Sequence, residues 1–298
     1  MSKLFKFVGA LALSVCATVA SAQALKPFVL GSKGAGDLAA KVEETKTALT
    51  GAGFTIVGTY SPYANTTVLI ATNDELKSTA AKSEHGGFGA AQRVSVVKVK
   101  DEVQVAYANP TYWSNIYRMS GDLKGTSEKL QTALGKVEDF GAKGIAAADL
   151  RKYHYKMMMP YFDEPDQLMT HASHEEAVKQ VEAGLAAGKQ GMTKVYRIDI
   201  PGKKEVVFGV AMKGGEKDKF IDDKYIMSQI DFKDVKAAAH LPYEMLVTDK
   251  KVIALSARFR IAASFPDLSM MGDNSFMKIM ESPDAIKKAL AQTAGDRD

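Results

Sequence analysis

Three imidazoles and a run of methionines are the side chains in this sequence best suited to hold a soft metal. His154 stands between Tyr153 and Tyr155, and Met157-Met158-Met159 follow closely. His171 and His174 come next, with Met169 beside them. Imidazole and thioether are ligands that copper accepts, and a His-x-x-His spacing can set two imidazoles on one helical face. Ser173 reads as a helix cap, however, so His171 and His174 straddle a helix start. Consecutive side chains point in different directions, so the three methionines cannot all reach one ion. Met157 joins His154, His171 and His174 as the metal set, with core packing as the competing reading for the methionines.

A second constellation is Arg258-Phe259-Arg260, read as the end of an apolar strand. A guanidinium among apolar groups needs an anion. That anion is either a ligand or an internal carboxylate, and Asp267 and Asp273 are the nearest in sequence. Ser269 and Ser275 lack the glycine-flanked elbow of a hydrolase nucleophile. No catalytic residue is assigned. The paired carboxylates Asp222-Asp223 and Glu175-Glu176 read as solvated surface. His85-Gly-Gly-Phe-Gly89 reads as a flexible loop, since its spacing and context are not those of a nucleotide fingerprint.

The inventory excludes whole classes. The chain opens with Lys3 and Lys6, an uncharged apolar run from Val8 to Val19, and Ala20-Ser21-Ala22. This is the pattern of a secretory signal cleaved after Ala22, and its style predicts a bacterial periplasm. Cys16 is the sole cysteine and leaves with the signal. The mature chain then has no internal disulfide, thiol nucleophile, cysteine-ligated cluster or c-type haem. The formal charge of +4 falls further once Lys3 and Lys6 are gone. With no basic block or aromatic–arginine stripe, nucleic acid is not an expected partner. No later apolar run is long enough to span a membrane.

The elements that must position these residues follow from periodicity. Asp37 caps a helix with Val42, Thr45 and Leu49 on one face, and Gly51 and Gly53 stop it. Phe54–Tyr60 and Thr66–Ala71 read as strands, and Asp74–Lys82 as a short helix. Arg93–Val99 and Glu102–Tyr107 form a hairpin across Lys100-Asp101. Gly31-x-x-Gly34-x-Gly36 has no evident strand before it and reads as a linker. In the second half, Ser173 and Glu176 make a capping box for a helix to Ala187. Strands follow at Thr193–Ile200 and Glu205–Met212, then a hairpin of Tyr243–Val247 and Lys251–Ala257. Ser282-Pro283 opens a last helix.

The two hairpins run in step, Val94 against Tyr243 and Tyr107 against Ser256, with matching turns and matching order on either side. This predicts an α+β fold of duplicated antiparallel β-sheet units with helices packed on one face. The divisions are a signal peptide over 1–22, a flexible segment over 23–36, a first unit over 37–135, a connecting segment over 136–172 and a second unit over 173–298.

The first unit resembles the bacterial DUF302 family with its TT1751-like fold. The residues concerned are Gly53-Phe54, Val68-Leu-Ile-Ala-Thr-Asn73 with Glu75-Leu76, Val94-Ser-Val-Val-Lys-Val99, and Glu102 through Asn109-Pro110. The likeness covers about 37–120 and, more faintly, 173–265. The family's proline after the Asn73 position is absent here. Gln92-Arg93 stands where the family has Pro-Cys, and His240-Leu-Pro242 keeps only a proline. The resemblance implies the fold and no catalytic residue.

The functional expectation is a non-enzymatic periplasmic binding or accessory protein, with a small ligand or a periplasmic protein as partner and a cleft between the units. The cofactor is unknown. The alternatives are copper or haem binding through the His/Met set, and an enzyme of unknown class built around Arg258–Ser275.

Overall fold

A computed structural model of the protein describes residues 24–155 and 159–296. The expected signal peptide and Met157 lie outside them. The first unit runs β1 (Phe28–Ala35), α1 (Leu38–Gly51), β2 (Thr55–Tyr60), β3 (Thr66–Thr72), α2 (Asp74–Ala81), β4 (Gln92–Val99), β5 (Glu102–Ala108), α3 (Pro110–Ile116) and α4 (Lys124–Leu134). A short β6 (Glu138–Phe140) and a one-turn α5 (Ala147–Leu150) lead out of it. The second runs β7 (Asp166–Thr170), α6 (His174–Ala186), β8 (Met192–Asp199), β9 (Glu205–Met212), α7 (Asp223–Ile230), β10 (Tyr243–Thr248), β11 (Lys251–Ala254), α8 (Ala257–Ser264) and α9 (Ser282–Thr293).

All strand pairs are antiparallel, and the sheets have one topology. The first is ordered β2-β3-β4-β5-β1, with β6 added outside β1, and the second β8-β9-β10-β11-β7. In each unit the opening strand pairs with the last strand of the same unit. The duplication is therefore a repeat of strand order as well as of hairpin pattern.

Local chemistry explains the helix starts. Asp37 accepts from the Ala40 N–H at 2.9 Å, and α1 buries Val42, Thr45 and Leu49. Ser173 accepts from the Glu176 N–H at 3.2 Å. Glu176 turns instead to Gln180, at 2.6 Å, so this capping box is made on the serine side.

The opening segment corrects the linker reading. The described part of the expected flexible segment, 24–36, is not a tail: β1 pairs from Phe28 with Ala108 to Ala35 with Glu102. Gly31 sits at its bulge, where a Cβ would come 2.7 Å from the Leu134 carbonyl oxygen. The stretch 136–172 likewise carries β6 and β7, and β7 belongs to the second sheet.

Helices cover one face of each sheet, α1 on β3 to β5 and α6 on β8, β10 and β11. The other faces meet. The turn Gly86–Gly89 is buried, and a Cβ on Gly87 would strike Leu246 of the second sheet at 2.4 Å. This replaces the flexible loop expected over His85–Gly89. In return, the turn Ala238–His240 of the second unit packs on β3, β4 and β5 of the first. Strands β2 and β8 cross so closely that a Cβ on Gly58 would lie 2.6 Å from the Val195 carbonyl oxygen. All of β9 is buried, as expected for a central strand covered on both faces. Each fully buried Val or Phe there contributes roughly 1.5–3 kcal/mol. No helix among the described residues is long and apolar enough to cross a membrane.

Candidate functional site

Helix α8 organises the chemistry. The sequence pattern extends the preceding strand to Ala257, but β11 stops at Ala254 and a helix starts at Ala257. The change matters for Arg258 and Arg260. Two residues apart on a strand they would share a face, whereas on a helix they point roughly 200° apart. Arg260 turns inward and is 1% exposed. Arg258 turns outward and pairs with Asp284 at 3.2 Å.

The inward arginine anchors a buried polar cluster between the units. Arg260 Nη1 bonds Glu244 Oε2, and its Nη2 donates to the carbonyls of His240 at 2.6 Å and Pro242 at 3.0 Å. The other Glu244 oxygen accepts from Arg93 Nη1 and from the Tyr196 hydroxyl, both at 3.3 Å. One carboxylate thus joins a guanidinium from each unit. Each guanidinium also faces a ring, Arg93 4.8 Å from Trp113 and Arg260 4.7 Å from Tyr243. His240 shares a 2.7 Å hydrogen bond with Ser264. Burial, reinforced by Arg260 and Arg93, holds its imidazole well below the ordinary value, so it stays neutral. Arg93, Glu244 and Arg260 are closed off from solvent, so the cluster ties the units together and offers no open face to a substrate.

Asp267 and Asp273 are not the partners of these arginines. Asp267 accepts from the Lys143 backbone N–H at 2.8 Å, and Asp273 pairs with Lys278 at 3.4 Å. Sequence reasoning missed Glu244 and Arg93. Their signal was present, a charge near the start of each of two strands, ahead of valine- or leucine-containing runs. Asp223 is a further correction. It is 1% exposed rather than solvated, and it accepts from the Tyr60 hydroxyl of the other unit at 2.6 Å and from the Met212 N–H at 3.1 Å. Burial pushes its carboxyl up to about 7.

The outer flank of α8 is hollow. A cavity of about 200 Å³ lies against it, walled by Ile261, Ala262, Phe265, Leu268 and Phe276, with Tyr155 and Met159 closing the side. Among the described residues Arg258 is the one charged residue lining it. A wider, more polar recess meets the cavity at Met159 and Arg258 and includes Glu164, Asp166 and Ser256. Tyrosines fix the wall. The last carbonyls of a helix lack intrahelical donors. Here the Tyr153 hydroxyl donates to Ala262 O at 2.9 Å and the Tyr112 hydroxyl to Ala263 O at 2.7 Å. The Tyr155 hydroxyl holds Leu268 O at 3.1 Å.

The histidines go to separate neighbourhoods. The His154 ring lies 4.4 Å from that of Tyr161. His171 Nε2 donates to Ala294 O at 3.0 Å, and His174 Nδ1 to Asp249 O at 2.8 Å. His174 is the first residue of α6, so the two do straddle a helix start. Among the described residues no group of three or more His, Cys, Asp or Glu could hold a metal ion, so these three imidazoles do not converge. No protein-family model, no curated protein and no solved structure matches the chain.

Proposed function

We propose that the chain is an exported periplasmic binding or accessory protein that performs no turnover, and that its second unit holds a small amphiphile. The apolar body lies in the cavity beside α8 and an anionic end meets Arg258. The observation that carries this reading is the cavity itself, whose lining among the described residues is almost wholly apolar with one guanidinium. An apolar cavity of about 150 Å³ is enough to bind benzene, so this one suits a single ring or a medium acyl chain. Binding pockets commonly combine such walls with few polar groups. The charge and apolar pattern of residues 1–22 supports export. The motifs over 37–120 and 173–265 support reading both units as divergent DUF302-like copies.

The test is calorimetric titration of the processed protein with octanoate and 3-phenylpropionate, with native mass spectra of the same samples. We expect one molecule bound, with a protein mass that begins at Gln23. Ala262→Trp, which fills the cavity, abolishes binding, and Leu268→Trp does so from the facing wall. Arg258→Gln weakens octanoate but spares octanol. Equal binding by the filled variants, or no binding of either acid, overturns the proposal.

A further inference from the structure

Away from α8, the two units form a second recess of about 390 Å³. The first unit supplies Tyr63 and Thr66 from the turn into β3, and Lys98 from β4. The second supplies Lys224 from α7, with Asp231 and Lys236 from the segment after it. We infer that this cleft is a binding site for a small multivalent anion, of the phosphate or polycarboxylate class, held between the units by Lys98, Lys224 and Lys236.

Three features support the inference. The first is a surplus of donors. Three lysines line the recess, together with Tyr63 and Thr66, against one acid, Asp231. Both Asp231 oxygens already accept from the Ala237 N–H, at 3.0 and 3.1 Å. Burial also pushes that carboxyl up to about 6, so it opposes an anion less as the pH falls.

The second feature is rigidity. The Gln104 side chain, from β5 of the first unit, donates to Asp234 O at 2.9 Å and accepts from the Lys236 N–H at 3.0 Å. Lys236 Nζ donates to Asp231 O at 3.1 Å. On the other wall the Lys98 N–H holds Asn65 O at 2.9 Å. Tyr60 and Asp223 fix the start of α7 to β2 at 2.6 Å. The backbone that carries the lysines is therefore placed before any ligand arrives, and Lys236 Nζ is already held, which lowers the entropic cost of binding.

The third is convergence of positive charge from both units. Like charges brought together across an interface oppose its closure, and a bound polyanion reverses that sign. The chemistry differs from that of the α8 cavity, and the two sites can be tested separately.

The experiment uses the processed full chain in 0.15 M salt. Pyrophosphate and citrate are titrated by calorimetry, and the thermal midpoint is followed with each. Saturable binding with a raised midpoint is expected. Binding of pyrophosphate alone assigns the site to phosphoryl groups, and binding of both assigns it to polyanions generally. Lys98→Gln, Lys224→Gln and Lys236→Gln each weaken binding by about tenfold. Lys129→Gln, on the exposed side of α4, has no effect, and octanoate binding is unchanged in all four. No saturable binding overturns the inference. So does equal weakening by Lys129→Gln, or binding that survives the triple substitution.

Discussion

The helices α3 and α8 follow the closing hairpins of their two units and share a start, yet they carry opposite chemistry. Counted from their first residues, Tyr112 corresponds to Phe259, and both are buried. The next position is Trp113 in one and Arg260 in the other. In the first unit the strand gives the guanidinium, Arg93, and the helix gives the ring. In the second the helix gives the guanidinium and the strand gives the ring, Tyr243. Glu244 joins the two inverted pairs. The flanks differ as well. Around α3, the Trp113 ring packs with Phe28, Tyr112 and Tyr117 at centroid distances of 6.4, 5.5 and 5.2 Å. Beside α8, small residues such as Ala262 leave a cavity. The duplication has kept the backbone and divided the labour, with one copy packed solid and the other hollowed.

Breaking the shared link should have the largest effect. Glu244→Ala leaves two guanidiniums buried without their carboxylate, and urea unfolding should show a loss of roughly 3–5 kcal/mol. If the link is only local to the second unit, Arg93→Met in that background will change stability independently. If it joins the units as the geometry indicates, the two losses will be non-additive.

Per pH unit a smaller effect is expected from titration, through the second contact between the units. The Asp223 carboxyl is raised from 3.8 to about 7 by burial. Below pH 4 it is protonated in both folded and unfolded chains and contributes no slope. Between about 4 and 7 the unfolded chain releases the proton and the folded chain keeps it. Stability therefore falls as pH rises through this window, by at most about 1.4 kcal/mol per pH unit, and levels off above it. Asp223→Asn should remove this part of the slope, read as thermal midpoints across pH 4–8. An unchanged slope would show that Tyr60 and Asp223 do not sense protonation.

The smallest effect sharpens the contrast between the arginines of α8. Arg258→Gln breaks a solvent-exposed pair with Asp284 and should shift stability by no more than about 1 kcal/mol. Arg260→Gln, two residues on, should be far more damaging in the same urea measurement.

What the sequence revealed was local. Caps such as Asp37 and Ser173, and hairpins with a turn at Lys100-Asp101 or Thr248-Asp249-Lys250, are written in adjacent residues. The strand β1 was illegible because only Phe28-Val29-Leu30 is apolar, while its second half is rich in glycine and exposed. Its partner, β5, comes only after α1, β2, β3, α2 and β4 in the chain. The helix α8 was misread because Val252 and Ile253 favour a strand and nothing in Ala257-Arg-Phe-Arg260 announces the switch. The site followed the same rule. Arg260 was recognisable as a residue in need of an anion, but the anion was chosen from its sequence neighbours. The true partner, Glu244, sits on β10, across from the helix. Asp223 looked like half of a surface pair because burial of a carboxylate depends on a tyrosine far away in the chain.

The reciprocal turns have a consequence for how the chain is made. During synthesis the first unit has all five strands of the repeat by Ala108, since β1 closes onto β5. Its inner face, with Arg93 and the Gly86–Gly89 turn, then has nothing to rest on until β9, β10 and the Ala238–His240 turn are complete. An early half-molecule thus exposes apolar surface and an uncompensated charge, a state prone to aggregation. Maturation has to be coupled across the halves, and the first copy remains a dependent until the second arrives.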